Sequence, residues 1–282
     1  QRFPVLLPVR METVATYGDT RERRVEALEV PRGVRRDAGG LTLTLASTVL
    51  GGLEETSRQL LDYPYGCVEQ LSSRLVPIVE SLRLAQRFGV EVPELRRWPG
   101  AKTEPAGETA RATVKQIVDL QAPDGGFRYW PDSTCSSAYA SPYAFFALGR
   151  AKAAGIEVDP AVLERAQKFL AEQVLPKRGI ACGWGRYEPD PETRVFALWA
   201  LAHAGVLLGS YHAELLGLAR ELPLSGRAML ADAVLLADPK SAEGRRLLDE
   251  VLASGRETAG QLHFQEVDAA SNQEHWASDT RT

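Results

Sequence analysis

Tyr63-Pro64-Tyr65-Gly66-Cys67-Val68-Glu69-Gln70 places a cysteine three residues ahead of a glutamine, at the mouth of a helix. A thiol and a side-chain amide spaced in this way can condense, with loss of ammonia, into a small ring closed by a γ-glutamyl thioester. Cys67 would be the leaving sulfur and Gln70 the acyl carbon. Such a bond stores an activated acyl group, because thiolates are stabilised anions and leave readily. Gly66 gives the backbone freedom to turn tightly before the ring, and Glu69 and Gln70 fall in the first helical turn. Tyr63 and Tyr65 are large amphipathic side chains suited to shielding the ring from water. The plainer alternative is a buried free cysteine followed by an ordinary first-turn glutamine. A bare Cys-x-Glu-Gln recurs by chance, so residue chemistry alone leaves both open.

The longer string Pro64-Tyr65-Gly66-Cys67-Val68-Glu69-Gln70 resembles the thioester signature of the α2-macroglobulin and complement family, in particular its bacterial α2-macroglobulins. Downstream, Leu120-Gln121-Ala122-Pro123-Asp124-Gly125-Gly126-Phe127, then Trp130 and Tyr143, is similar to the next landmark of their thioester domain. The resemblance runs from about Leu41 to Thr282. It implies a protease trap: cleavage of a bait segment elsewhere exposes the thioester, and lysine amines of the attacking protease become covalently linked to it. Each site reacts once, so no enzyme is implied. The implied partners are target proteases and the other domains of a longer parent chain, with no nucleic acid. The implied setting is extracytoplasmic and periplasmic, with lipid anchoring of the parent left open. Complement-type relatives carry a histidine after the glycine-rich loop that redirects the acyl group to hydroxyls. Residues 132–139 contain none, which favours amines as acceptors.

Composition sets wider bounds. With 282 residues, 44% hydrophobic and 25% charged, the chain has the make-up of a globular protein with ample core. Its 33 basic residues are outnumbered by 37 acidic ones, which argues against a nucleic-acid binder. No apolar run is long enough to cross a bilayer, and Gln1-Arg2-Phe3-Pro4 is neither an initiator methionine nor a signal peptide, so an internal piece of something longer is expected. Three cysteines is an odd count. With Cys67 committed to a thioester, Cys135 and Cys182 remain as a possible disulfide or as two free thiols. Pairing requires Cα atoms within about 7 Å.

Along the chain, residues 1–46 read as extended. Val5-Leu6-Leu7-Pro8-Val9 is apolar between prolines, Glu12 to Tyr17 is β-prone, and Leu41-Thr42-Leu43-Thr44-Leu45 alternates with period two. The resemblance implies that this is the first part of a CUB-like β-sandwich split around the thioester domain. The basic residues from Arg21 to Arg36 read as a solvated surface. Residues 47–282 read as helices. One is expected over Leu53 to Leu61, and one over Val68 to Phe88 kinked at Pro77. A proline-rich connection from Pro93 to Pro105 leads to another at about Glu108 to Leu120. Asp159-Pro160, Asp190-Pro191 and Asp238-Pro239 each read as a capping acceptor before a proline suited to the first helical position.

Helices near 160–175 and 241–252 are amphipathic, whereas Tyr143 to Ala154, Val195 to Val206 and Ala228 to Ala237 are apolar nearly all round and should be buried. Alternation of outer and inner helices describes an α/α toroid, the terpenoid-cyclase-like fold that the resemblance also implies. The motif loop, the Asp124-Gly125-Gly126 loop and the loop from Gly179 to Tyr187 should then share one end of the barrel. By the same resemblance, His275 to Thr282 is similar to the beginning of the final inner helix of the bacterial relatives.

Other chemistry is weaker. His203, His212, His263 and His275 lack metal-ligand spacing, so no metal or cofactor is expected, and His203 reads as a hydrogen-bonded residue of the core. Two further readings compete with a thioester: a structural interaction domain with an inert Cys67, and a terpenoid-cyclase-like enzyme. The latter needs an aspartate-rich acid or magnesium site, and Glu188-Pro189-Asp190-Pro191-Glu192 reads better as a helix cap.

Overall fold

The computed structural model describes residues 20–25, 27, 34–35, 37, 39–43, 45, 66–89, 95–96, 103–183, 185–258 and 261–264. The chain divides into two units, Gln1–Gly52 and Leu53–Thr282. In the first, no described residue lies in a strand, and Leu41, Leu43 and Leu45 are exposed. The described part of that alternating stretch therefore does not form the expected strand. Alternation makes a strand only where a neighbouring strand and an apolar surface receive it. Arg21, Arg23 and Arg24 are exposed, as a solvated surface requires. The rest of the expected β segment, the helix over Leu53 to Leu61 and the stretch from His275 to Thr282 lie outside the described residues.

The second unit begins, among the described residues, with α1 (Val68–Phe88). It buries Val68, Leu71, Leu75, Ile78 and Val79 along one stripe and ends at Gly89, whose left-handed backbone (φ 64°) turns its N–H back to the Ala85 carbonyl. The helix is continuous through Pro77, whose missing N–H removes one ladder bond. The connection after it contains a short hairpin, β1 (Leu95–Arg96) with β2 (Thr103–Glu104). Next come α2 (Ala106–Asp119), α3 (Ala140–Ala153) and α4 (Pro160–Phe169), which runs on as a π-turn over Leu170–Val174. The hairpin of β3 (Ile180–Cys182) and β4 (Gly185–Tyr187) leads into α5 (Pro191–His203), and short α6 (His212–Gly217) into α7 (Leu224–Ala237) and α8 (Ala242–Ala253). A last hairpin pairs β5 (Arg256–Thr258) with β6 (Gln261–His263).

Packing sorts the helices into two layers. Helices α1, α3, α5 and α7 stand side by side in that order. Outside them, α2 covers α1 and α3, α4 with its π-turn covers α3 and α5, and α6 and α8 lie on α7. Composition explains the sorting. Helix α5 buries Val195, Ala197, Leu198, Ala200 and Leu201 around most of its circumference, whereas α8 buries Leu247 and Val251 and turns Arg245, Arg246 and Glu250 to solvent. The architecture is mainly helical and that of an α/α toroid. Each inner helix after α1 starts earlier than its apolar pattern suggests, because the first turn of α5 buries Glu192, Thr193 and Arg194 although they are polar.

Two of the three expected aspartate caps form: Asp159 accepts from Ala161 N–H at 2.9 Å and Asp190 from Thr193 N–H at 2.7 Å, each ahead of a proline at the first position. Asp238-Pro239 does not start a helix. Asp238 closes α7, its carbonyl accepts from Ser241 N–H in a turn, and Ser241 itself caps α8 by accepting from Gly244 N–H at 3.1 Å.

Three inter-helix segments converge at one end of the inner layer. Phe127, wholly buried, donates its N–H to Ser141 Oγ at 2.8 Å and accepts from Ser137 N–H, which fastens the glycine-rich loop to the start of α3. The Tyr187 hydroxyl, at the end of β4, donates to the Ser136 carbonyl at 2.7 Å and accepts from Ala138 N–H at 2.8 Å. Val68 N–H donates to the Tyr129 carbonyl at 3.0 Å. The motif, the glycine-rich loop and the β3–β4 hairpin thus meet.

Candidate site at the N-terminus of the first helix

Cys67 occupies the cap position of α1 in extended conformation, with its side chain buried to 1% exposure. Its Sγ accepts the N–H of Gln70 at 3.5 Å, so the sulfur does for this helix what a serine or aspartate oxygen usually does. Cysteine and glutamine are thereby joined across the first turn, sulfur over the residue that carries the amide. Gln70 Oε1 is buried and has no hydrogen-bond partner. Leaving a buried polar atom unpaired costs roughly 1–3 kcal/mol.

Glu69 accepts from Ser73 Oγ at 2.8 Å, and the same hydroxyl lies 3.2 Å from the Tyr143 hydroxyl on α3. Gly66 is exposed, and a Cβ there would meet nothing within 4 Å. Tyr63, Pro64 and Tyr65 lie outside the described residues. Cys135 and Cys182 are joined by a disulfide with Cα atoms 4.9 Å apart, linking the end of the glycine-rich loop to β3 beside the motif. Cys67 is the one free cysteine.

Tyr129 is the residue that reading the sequence missed. Its ring is half-buried against the core and meets Trp130 edge-on at 5.9 Å, and its hydroxyl is near enough to Cys67 and Glu69 for their charge to bear on it. Burial, then the neighbouring sulfur and the Glu69 carboxylate, push the phenol up to about 12. The hydroxyl therefore keeps its proton at any physiological pH. The available signal was an aromatic two residues after Phe127, but alternation along an extended loop does not say which side faces the cysteine.

The remaining candidates stand apart from this cluster. His203 bonds to Asp232 at 2.7 Å on the inner layer, where Trp199 Nε1 also donates to Asp232 at 2.8 Å. It is bonded as expected, yet its side chain is 30% exposed and so not a core residue. His212 opens α6, His263 ends β6, and His275 lies outside the described residues. Among the described residues, no group of three or more His, Cys, Asp or Glu side chains is placed to hold a metal ion, and no helix is long and apolar enough to cross a membrane.

No protein-family profile matches the chain. Among curated homologues, α2-macroglobulin of Ralstonia nicotianae is 25% identical over 250 residues, 84% of this chain but only 14% of the relative's length. Among solved structures, Salmonella α2-macroglobulin reacted with methylamine superposes with a TM-score of 0.54 at 22% identity, over 74% of this chain and 13% of that one. Trypsin-activated α2-macroglobulin of Escherichia coli gives 0.54 at 18% identity, over 69% of this chain and 13% of that one. By sequence this chain is a homologue of one segment of the bacterial α2-macroglobulins, and by fold it is built like that segment.

Proposed function

We propose that residues 47–282 form the thioester domain of a protease-trapping protein, with Cys67 Sγ and Gln70 Cδ as the two ends of the stored bond. One observation carries this reading: the buried Cys67 sulfur sits over the first turn that bears Gln70, whose buried amide oxygen no donor satisfies. A thioester carbonyl is a weaker acceptor than an amide carbonyl, so closing the ring lowers the cost of that orphan. Closure forms the C–S bond and expels the amide nitrogen as ammonia. Attack by a lysine amine then forms a C–N bond at the same carbon, the C–S bond breaks, and Cys67 is left as a thiol. Stoichiometric consumption makes the protein a reagent rather than an enzyme.

Two similar structures support the choice of reactants: one is Salmonella α2-macroglobulin reacted with methylamine, the other Escherichia coli α2-macroglobulin activated by trypsin. Protease amines are therefore the proposed acceptors, and cleavage elsewhere in a longer protein the proposed trigger. The Cys135–Cys182 disulfide supports an extracytoplasmic, periplasmic setting, where such bonds persist.

The test is the intact mass of freshly prepared protein, with a thiol titration, before and after methylamine. The reading expects a mass below the sequence mass by one ammonia, then addition of one methylamine with appearance of one thiol at Cys67. An unmodified mass with Cys67 already titratable, in the full parent protein as well as in this chain, would refute it and leave a structural toroid with an inert cysteine.

A further inference from the structure

The Cys135–Cys182 bond is joined to the start of α1 by an unbroken series of contacts. Cys182 ends β3, which pairs with β4, and Cys135 ends the glycine-rich loop. Ser136, next to Cys135, bridges Arg128 and donates its Oγ to Asp124 Oδ1 at 2.6 Å, and Ser137 N–H donates to the Phe127 carbonyl at 2.8 Å. Arg128 is followed by Tyr129, whose carbonyl accepts the N–H of Val68, the residue after Cys67. The disulfide therefore secures one limb of the loop, and the other limb is tied to the helix that carries the motif. Two features make the bond a control point as well as a staple. Both of its cysteines are only partly buried, so a reductant can reach them, whereas Cys67 is 1% exposed. The same hairpin also keeps a second tie to the loop, since the Tyr187 hydroxyl on β4 holds the Ser136 carbonyl and the Ala138 N–H. Breaking the disulfide loosens the loop without detaching it.

We propose that the Cys135–Cys182 disulfide is a redox gate on the Cys67–Gln70 site. Oxidised, it holds the glycine-rich loop against the start of α1 and keeps Cys67 covered. Reduced, it lets the loop open locally and admits water and amines. The effect on a stored acyl bond rests on reading Cys67 and Gln70 as a thioester; the change in access to Cys67 does not. The reductant is a dithiol. Its two sulfurs give up two electrons and two protons and join in a disulfide, the Cys135–Cys182 bond breaks, and each cysteine leaves as a thiol.

The experiment compares the unaltered chain, the same chain treated with a phosphine, and Cys135→Ser/Cys182→Ser, all well below their melting temperatures. A phosphine replaces the dithiol because a thiol would itself attack a stored acyl group; it ends as the phosphine oxide, with water supplying the oxygen and the two protons. Intact mass first decides the thioester reading. If one ammonia is missing, release of the Cys67 thiol by methylamine is followed. If none is missing, Cys67 is a free thiol, and its alkylation by iodoacetamide, located by peptide mass, reports access in its place. In either case the rate at Cys67 is expected to be at least roughly five-fold higher without the disulfide, since reaction through local opening scales with the open population. Leu247→Ala, which empties a buried position in α8, controls for loss of overall stability and should leave the rate within about two-fold. Equal or lower rates without the disulfide would overturn the gate. So would an equal acceleration by Leu247→Ala, which would make the effect one of global stability. Should the double variant not fold, the phosphine-treated chain decides alone.

Discussion

The N–H of Val68 donates to the carbonyl of Tyr129 at 3.0 Å, so the helix that carries Gln70 is fastened at its first residue to the glycine-rich loop. Whatever holds that loop also holds the site. Two glycines decide its path. Gly125 has φ 92°, and a Cβ there would lie 2.4 Å from the Arg165 carbonyl oxygen; at Gly126 a Cβ would lie 2.6 Å from Ser136 Cβ and 2.7 Å from the Phe169 ring. Gly125→Ala combines backbone strain with a clash against backbone that cannot rotate away, and should cost on the order of 3 kcal/mol. Thermal melting would show a fall of roughly 6–12 °C at this chain length. Unchanged melting and unchanged amine reactivity would mean that the loop does not support the site.

The disulfide should matter for the same reason. It closes a loop of sequence separation 47 between the glycine-rich segment and β3. Chain-entropy arguments put the stabilisation from such a closure at about 4 kcal/mol, an upper figure because the reduced protein still has Tyr187 bridging Ser136 and Ala138. Reductant is expected to lower the melting temperature of the chain and to leave the double variant Cys135→Ser/Cys182→Ser, which starts lower, unaffected. Identical melting with and without reductant would show that the bond contributes nothing.

How far the sequence could be read depended on whether a signal was local. Helix α1 has the limits expected because both ends are marked, by the cap before Val68 and by Gly89 after Phe88. The inner and outer layers followed from apolar pattern alone, since a helix covered on most sides can carry few charges. The apolar pattern set the starts of α3 and α7 too late, and that of α5 was marked only by its Asp190-Pro191 cap, because pattern counts polarity while burial counts partners: Arg194 is 1% exposed in the first turn of α5, bonded to the Leu175 carbonyl and Glu214. Asp238-Pro239 imitates a helix start, yet Ser241 three residues on provides the cap actually used. At the candidate site, the approach of Cys67 Sγ to the Gln70 N–H was legible from spacing, because one helical turn determines it. Tyr129 was not, since its position depends on a loop crossing a helix distant in the chain.

Acid should weaken the fold through His212. Burial at the start of α6 lowers its pKa below the ordinary 6.5, so the folded state binds its proton less readily than the unfolded chain does. The sign follows: its contribution is fully present above the unfolded value and is lost as pH falls through the depressed folded one. Glu214, lowered mainly by its hydrogen bond from Arg194, acts in the same direction but only below its own ordinary 4.5. Melting temperature is therefore expected to decline as pH drops from 7 towards 5, and His212→Gln to flatten that part of the curve. Parallel curves for the two proteins between pH 7 and 5 would remove His212 as the cause.

Arg194 should be far more costly to lose than its charged partner. Its Nε donates to the Leu175 carbonyl at 2.7 Å, just past the π-turn that ends α4, and its Nη1 reaches Glu214 at 2.8 Å. The two ends differ in environment: the arginine side chain is 1% exposed and that of Glu214 is 50% exposed. Arg194→Ala strands a carbonyl inside the protein and leaves a void between α4 and α5, a loss of about 3 kcal/mol. Glu214→Ala removes a pair that solvent already screens and should cost under about 1 kcal/mol. Denaturant titration of both variants distinguishes packing from charge. Equal losses would mean that the ion pair, rather than the bond to Leu175, is what the buried guanidinium contributes to joining the outer layer to the inner one.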